Sequence, residues 1–255
     1  MGSLVALPWS RFQWQHALVP ARTLLLGIYG LFGFHFLLFL ALRTAPAVEA
    51  NLVNYLWPLL IVVLAPVFHK GTRLHWRQVL AALAGFSGAV WVITGGQVID
   101  LQINVGYLAA LGSAFIWATY SLMTQRVPAF HTAAIGSFGL VSGVLSLACH
   151  FALETPVAIS TEDSLLLIWM GLGPLGLAFY LWDAALKNGR AQQIGLLSFL
   201  TPLGSTILLL LDRQEALTPT VAWAGLLIVG GAWLGRTVST EAANDPYFEK
   251  PTQSD

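Results

Sequence analysis

Polar side chains line one face of an otherwise apolar segment at residues 46–68. Asn51, Asn54 and Tyr55 recur at helical spacing, so a helix would place them on one face. An amide without a hydrogen-bond partner in hydrocarbon costs several kcal/mol. We therefore expect this face to look into protein or water and to bind a solute through hydrogen bonds. The alternative is that these amides bond to neighbouring helices of a bundle.

A second polar face follows at a constant offset of 144 residues, because segment 185–208 repeats segment 41–64 without a gap. Matched positions include Ala47/Ala191, Leu52/Leu196, Asn54/Ser198, Tyr55/Phe199 and Pro58/Pro202. We interpret the match as an internal duplication. Each copy has a proline that frees a backbone carbonyl of its helix. Ser198 and Thr201 therefore join the substrate-binding candidates, on a wall facing that of Asn54.

Aromatic side chains inside the apolar segments form the next set of candidates. Trp117 lies near the middle of its segment, and Tyr180 lies about one turn past the middle of its own segment. Neither position suits anchoring at the membrane interface. Their rings suit an aromatic or amphipathic solute, and the alternative is aromatic packing within the bundle. His35 is also mid-segment, either in a cavity or as a satisfied packing residue.

Two acidic side chains need separate interpretations. Glu49 falls in the first turn of its helix, where the helix dipole favours a carboxylate, and Arg43 is nearby in sequence. It is either a helix-end stabiliser or a site for substrate or coupling protons. Asp183 lies four residues before Lys187, and this spacing predicts an ion pair on one helix face.

The sequence has few features of an enzyme. We find no nucleophile with a base and no cluster of metal ligands within the apolar segments, and no phosphate-binding Gly-rich loop with lysine. We therefore predict no catalytic residues, no metal and no cofactor. An intramembrane enzyme is kept as the rival class.

Composition indicates which elements carry these residues. The chain of 255 residues is 56% hydrophobic and 9% charged, which is typical of a polytopic membrane protein. Runs of this length predict helices, because a lipid-exposed backbone must satisfy its own hydrogen bonds. Eight spans are predicted near residues 22–43, 46–68, 77–95, 105–126, 131–153, 164–186, 190–211 and 219–237.

Basic residues predict the orientation of these spans. If the first span starts on the cytoplasmic side, ten of the 12 Lys and Arg residues fall on that side, and Arg43 and Arg213 on the other. Both termini are then cytoplasmic. The two copies of the repeat are five spans apart, and an odd step inverts the second copy. The predicted fold is an all-α helical bundle of two inverted-topology repeats.

The repeat also predicts how the chain is divided. Residues 22–95 form the remainder of the first repeat with three helices, and residues 104–237 form a second repeat with five. Residues 1–21 are an N-terminal segment, interpreted as the stub of a further helix, and residues 238–255 a disordered cytoplasmic tail. A complete five-plus-five protein needs two helices before residue 22. We interpret the missing pair as a truncation or a late start codon, and a true eight-helix protein is the alternative.

Several stretches resemble a known family. They are ALRTAPAVEANLVNYLWPLL with Glu49, Asn51, Asn54, Tyr55 and Pro58, then Gly85 and Gly88, GLGPLGLAFYLWDAALKNG from Gly171, and GLLIVGGAWLG from Gly225. This pattern resembles the EamA type of the drug/metabolite transporter superfamily and, within it, the YddG-like aromatic amino acid exporter branch. The resemblance implies ten helices in two inverted repeats, a central cavity and export of small metabolites.

The sequence and the resemblance together predict an inner-membrane exporter of small metabolites, amino acids and aromatic ones among them, that works by alternating access. Mid-span Lys or Arg is lacking, which argues against sugar phosphates and nucleotide sugars. Nucleosides, drugs and other sugars are the alternative solutes. The expected partners are a small-molecule substrate and the lipid bilayer, with no nucleic acid. Few intramembrane acids leave both proton coupling through Glu49 and facilitated diffusion open, and the oligomeric state is undetermined.

Overall fold

The computed structural model describes residues 14–69, 72–97, 104–155 and 157–243, with side chains from Gln15 to Gly235 within these ranges. Over these ranges the chain forms helices and turns without strands, which confirms the predicted all-α class. The helices are α1 Ala21–Ile28, α2 Phe34–Thr44, α3 Ala47–Asn54, α4 Trp57–Phe68, α5 Trp76–Thr94, α6 Gly106–Met123, α7 Ala134–Leu153, α8 Thr161–Leu172, α9 Ala178–Asn188, α10 Ala191–Leu197, α11 Leu200–Asp212 and α12 Pro219–Ala243.

Six helical stretches are long and apolar enough to cross a membrane. They are Ala21–Thr44, Ala47–Phe68, Trp76–Thr94, Ala134–Leu153, Thr161–Asn188 and Ala191–Asp212. The other two predicted spans are also helical. Of these two, α12 contains the apolar stretch Pro219–Gly235 within its described residues. The other span, α6, contains Ser113, Thr119 and Ser121, which lower its hydropathy. These three side chains are buried in the protein and do not face lipid.

Two π-helical turns reproduce the duplication in the backbone. Tyr29–Gly33 joins α1 to α2, and Gly173–Leu177 joins α8 to α9 at the same offset of 144 residues. The helices that follow, α2 and α9, match at this offset over their whole length. The second turn contains Pro174, which has no backbone N–H to donate to the helix. The first turn has no proline, so its position was not predicted.

The chain folds as two compact units, and each takes helices from both repeats. The first unit contains residues up to Asn54 and from Ile103 to Arg190. The second unit contains Tyr55–Gln102 and the chain from Ala191 onward. The division falls within the segment that carries the predicted polar face, between Asn54 and Tyr55.

In the first unit, α6 is the central helix. It runs antiparallel to α2, because Gly106 at its start lies against Thr44 and Trp117 lies against Phe34. Glycines on α1 and in the first π turn make room for large rings. A Cβ at Gly30 would come within 2.3 Å of the Tyr120 ring, so only glycine allows this close approach.

In the second unit, α5 and α12 pack closely and run in opposite directions. A Cβ at Gly88 would lie 2.6 Å from Ile228 Cγ1, and one at Gly231 would lie 2.7 Å from the Ala81 carbonyl oxygen. These two helices are equivalents in the duplication. Their antiparallel packing agrees with the inverted topology that the odd span count predicts.

Two predicted segments fall wholly or partly beyond the described part of the chain. Residues 1–13, which include the proposed helix stub, lie outside it, as do residues 244–255 of the proposed tail. The backbone of α12 continues to Ala243, so the helix extends past residue 238, where the tail was predicted to begin.

Candidate functional site

The predicted polar helix at 46–68 is broken in its middle. α3 ends at Asn54, a turn covers Tyr55 and Leu56, and α4 begins at Trp57. Pro58 has no N–H to donate to the carbonyl four residues earlier, which is that of Asn54. The freed carbonyl that the sequence predicts therefore belongs to the last residue of α3.

The Asn54 side chain lies in the first unit and contacts α6. It is 5% exposed, and its Oδ1 lies 2.7 Å from Ser113 Oγ. Ser113 Oγ is also 2.7 Å from the Ala110 carbonyl oxygen on its own helix. Nδ2 of Asn54 makes no hydrogen bond to any residue that the structure describes. Asn54 thus bonds a neighbouring helix with one end of its amide and leaves the other end available.

An aromatic cluster surrounds Trp117 one turn further along α6. Its ring centroid lies between 5.1 and 5.8 Å from those of four other rings. These rings are Phe34, Tyr120, Phe179 and Trp182, and with Trp117 they define the aromatic cluster. The cluster joins α2, α6 and α9 within the first unit.

His35 contacts the edge of this cluster. Its ring meets Phe179 edge-on with centroids 5.6 Å apart, and its Nδ1 lies 2.6 Å from the Leu31 carbonyl oxygen. Phe179 therefore links two predicted site residues, His35 and Trp117. Tyr180 follows Phe179 in α9 and is fully buried.

Hydroxyl groups of α6 fix the orientation of side chains from neighbouring helices. Trp182 Nε1 donates to Ser121 Oγ at 3.1 Å, and Ser121 Oγ donates to the Trp117 carbonyl at 2.8 Å. The Tyr29 hydroxyl lies 2.8 Å from Thr119 Oγ1, which donates to a carbonyl one turn back at 2.7 Å. Each hydroxyl bonds its own helix and also a side chain of another helix.

Asn51 and Glu49 lie on α3 in the same unit, and both are half-buried. Glu49 is in the first turn of α3, as predicted. Arg43, which the sequence places near Glu49, instead bonds Glu154 Oε1 at 2.5 Å. Its charge is therefore used at the end of α7.

Tyr55, Ser198 and Thr201 lie in the second unit. Ser198 Oγ donates to the Gly195 carbonyl of its own helix at 2.5 Å, and Thr201 is exposed. Phe199, the repeat equivalent of Tyr55, is fully buried against Gly85. At the helix break of the second repeat, the Ser198 hydroxyl therefore bonds its own helix and the Phe199 ring packs within the second unit.

Charged residues near the helix ends form two groups in the first unit. Lys187 Nζ bonds Asp183 Oδ2 at 2.5 Å, which confirms the predicted pair, and it also lies 3.2 Å from Thr132 Oγ1. At the end of α7, the hydrogen bond from His150 and the charge of Arg43 lower the pKa of the Glu154 carboxyl. Among the described residues, no three His, Cys, Asp or Glu side chains group as metal ligands.

Sequence reasoning missed the residues that support the site, namely Ser113, Ser121 and Phe34. One signal was available. Ser113 is four residues before Trp117, so the two share a helix face. A buried serine one turn from a chosen aromatic residue marks the same surface of α6.

Known proteins are similar to this chain in sequence and in fold. A profile of the EamA-like transporter family matches residues 1–94 and 104–236. An aromatic amino acid exporter YddG of Ancylobacter novellus is 41% identical over 81% of this chain and 72% of its own length. The protein with the same name from Salmonella typhimurium is 28% identical over 82% of this chain and 75% of its own length.

A solved structure, described as a crystal structure of a protein, superposes with a TM-score of 0.81 at 36% identity. The match covers 94% of this chain and 85% of that one.

Proposed function

This chain belongs to the EamA-like transporter family, and on that premise we propose that it exports amino acids, aromatic ones among them, through a site built on α6. It is a multi-pass membrane transporter of small metabolites and not an enzyme. The relatives at 41% and 28% identity are named as aromatic amino acid exporters, and this favours amino acids as the solute class.

One observation carries the proposal: the buried amide of Asn54 and the aromatic cluster contact α6 one turn apart. Asn54 contacts Ser113, and Trp117 follows four residues later, which is about 6 Å along the helix axis. The amide suits the charged head of an amino acid, and the rings suit an apolar or aromatic side chain. Both belong to the first unit.

His35, Tyr180 and Asn51 complete the proposed site on the first unit. His35 contacts Phe179 of the aromatic cluster. In the second unit, Tyr55 and Thr201 are the proposed contributors, on the basis of their place in the duplication. Ser198, which the sequence also offered, bonds the Gly195 carbonyl of its own helix, and we propose a structural role for it. Since Lys and Arg are lacking from the middle of the spans, the site favours a zwitterion over an anionic phosphate.

The proposed mechanism is alternating access, since inverted repeats provide two equivalent conformations that open to opposite sides. We place the protein in the inner membrane with both termini cytoplasmic, on the basis of the ten-to-two distribution of Lys and Arg. The outward direction of transport is proposed from the exporter names of the relatives. The chain division into repeats at 22–95 and 104–237 belongs to the same proposal.

Glu49 is the proposed site of proton coupling, if protons are coupled to transport. It lies half-buried in the first turn of α3, on the helix that ends at Asn54. Glu49→Gln should remove the dependence of flux on an imposed proton gradient. A Glu49→Gln variant that transports like the wild type across a pH series would exclude this role.

Flux of radiolabelled phenylalanine and tryptophan in proteoliposomes tests the function. We expect time-dependent, saturable flux of both amino acids that protein-free liposomes lack. Competition by unlabelled nucleosides or sugars instead of amino acids would replace the proposed solute class. If no amino acid is transported, the proposal is wrong.

A further inference from the structure

The contact between Asn54 and Ser113 contains more acceptors than hydrogens. Ser113 has one hydroxyl hydrogen, and two oxygens, Asn54 Oδ1 and Ala110 O, each lie 2.7 Å from its Oγ. One hydrogen does not make two short, well-aligned bonds. Since Ser113 and Asn54 are both buried, a contact of two oxygens without a hydrogen between them would be costly.

The other hydroxyls of α6 indicate how this contact is resolved. Ser121 donates to its own helix and accepts from Trp182 Nε1. Thr119 donates to its own helix in the same way, and the Tyr29 hydroxyl is its second partner. Ser113 fits this pattern if its hydrogen goes to Ala110 and it accepts a hydrogen from Asn54.

The amide of Asn54 supplies that hydrogen when its oxygen and nitrogen are exchanged. The two ends of an amide group are distinguished by the hydrogen-bond network, not by the positions of heavy atoms. With the nitrogen toward Ser113, every hydrogen in the contact has one acceptor. The carbonyl oxygen of Asn54 then occupies the end that makes no hydrogen bond to the described residues.

We propose that Ser113 holds the Asn54 amide with its carbonyl oxygen toward the solute, and that this acceptor binds the ammonium group of the transported amino acid. The inference rests on the proposed function for the identity of the solute. Ser113 is a positioning residue, since it acts through Asn54. The backbone carbonyl of Asn54, which Pro58 leaves without its helical donor, adds a second acceptor at the same helix end.

A consequence is selectivity for solutes that carry a hydrogen-bond donor at this point. An outward amide nitrogen would instead favour a carboxylate or carbonyl. Without Ser113, the amide turns freely and presents either end. An aspartate at position 54 has acceptors on both atoms, so its binding of ammonium does not depend on the hydroxyl of Ser113.

Competition against labelled phenylalanine exchange in proteoliposomes tests this. The competitors are unlabelled phenylalanine and 3-phenylpropionate, which lacks the ammonium group. In the wild type, phenylalanine should compete at least about 10-fold better. Ser113→Ala should bring the ratio close to one, and adding Asn54→Asp to that variant should restore it. Thr119→Val, which removes another buried hydroxyl of α6, should keep the wild-type ratio.

An unchanged ratio in Ser113→Ala, or no recovery in the double variant, would overturn the proposal. The orientation of the amide has a second readout that does not require transport. In protein labelled with ¹⁵N-asparagine, the side-chain NH₂ of Asn54 should exchange slowly with solvent and faster in Ser113→Ala. Equally fast exchange in both proteins would overturn the inference, whereas slow exchange without phenylalanine flux would contradict only the proposed solute.

Discussion

Within each of the two compact units, a different kind of interaction joins the helices. In the first unit, side-chain hydrogen bonds join α6 to the helices around it, as in Asn54–Ser113, Tyr29–Thr119 and Trp182–Ser121. In the second unit, α5 and α12 pack through small residues, with Gly88 against Ile228 and Gly231 against Ala81. Among the polar contacts described there, Gln192 Nε2 lies 3.5 Å from both Gln78 Oε1 and the Val62 carbonyl oxygen.

The two kinds of contact serve different purposes, namely discrimination between solutes and close packing of helices. Polar groups and rings with fixed orientations discriminate between solutes, because an unpaired buried group penalises the wrong one. Small-residue contacts maximise van der Waals packing between helices and offer no donors or acceptors. We therefore propose that solute recognition rests mainly on the first unit and that small-residue packing stabilises the second.

The largest expected effect on stability comes from the buried charge pair of the first unit. Asp183 is 2% exposed at its side chain and Lys187 is 32% exposed. Lys187→Met leaves the carboxylate buried without its cation and should cost about 3 kcal/mol, near the lower end for buried pairs because Lys187 is partly exposed. The unfolding midpoint in detergent measures the loss.

The double variant Asp183→Leu/Lys187→Met is the matched control, since it removes both charges. It should recover most of the stability that Lys187→Met loses. If Lys187→Met unfolds at the same temperature as the wild type, polar contacts do not stabilise the first unit and the comparison between the units fails.

The next effect concerns the glycines of α12 in the second unit. A Cβ at Gly231 would lie 2.7 Å from the Ala81 carbonyl oxygen, whereas one at Gly230 meets nothing within 4 Å. Gly231→Ala should destabilise the protein by about 1–3 kcal/mol through overpacking. Gly230→Ala should be neutral or add up to about 1 kcal/mol from helix propensity.

These neighbouring residues differ only in the face of the helix that they occupy. Thermal unfolding of both variants therefore separates packing from propensity. Equal midpoints for Gly231→Ala and Gly230→Ala would show that α5 and α12 do not pack as closely as described.

Much of this fold could be predicted from the sequence because it depends on local patterns. Apolar runs predict the helices, and the offset of 144 residues predicts their order. The i,i+4 spacing of Asp183 and Lys187 predicts their pair. The sequence also marks the π turn at Gly173–Leu177, since Pro174 removes a backbone donor there.

The supporting contacts of the candidate site depend on which helices are neighbours, and sequence periodicity does not contain this information. Ser113 and Ser121 are recognised as partners of Asn54 and Trp182 only when α3 and α9 are placed beside α6. The π turn at Tyr29–Gly33 was missed because no proline marks it. Asn54 is buried, as expected for a polar face turned away from lipid, but its partner on a distant helix was not predictable.

The smallest expected effect lies at the end of α7, away from the candidate site. The lowered pKa of Glu154 means that its carboxylate stabilises the fold above its ordinary pKa of 4.5 and stops doing so as pH falls through the lowered value. Glu154→Gln should therefore lower the unfolding midpoint slightly at neutral pH and not at all in strong acid. A difference between the two proteins that grows on acidification would contradict this assignment.

We propose that the first unit recognises the solute through Asn54, whereas its repeat equivalent, Ser198, has a structural role. Initial rates of labelled phenylalanine flux in Asn54→Leu and Ser198→Ala proteoliposomes test it most directly. Asn54→Leu keeps the volume of the side chain and should reduce the rate about 10-fold or more. Ser198→Ala should stay within about two-fold of the wild type, because that hydroxyl bonds its own helix. Equal losses in both variants, or a loss in Ser198→Ala alone, would contradict the claim.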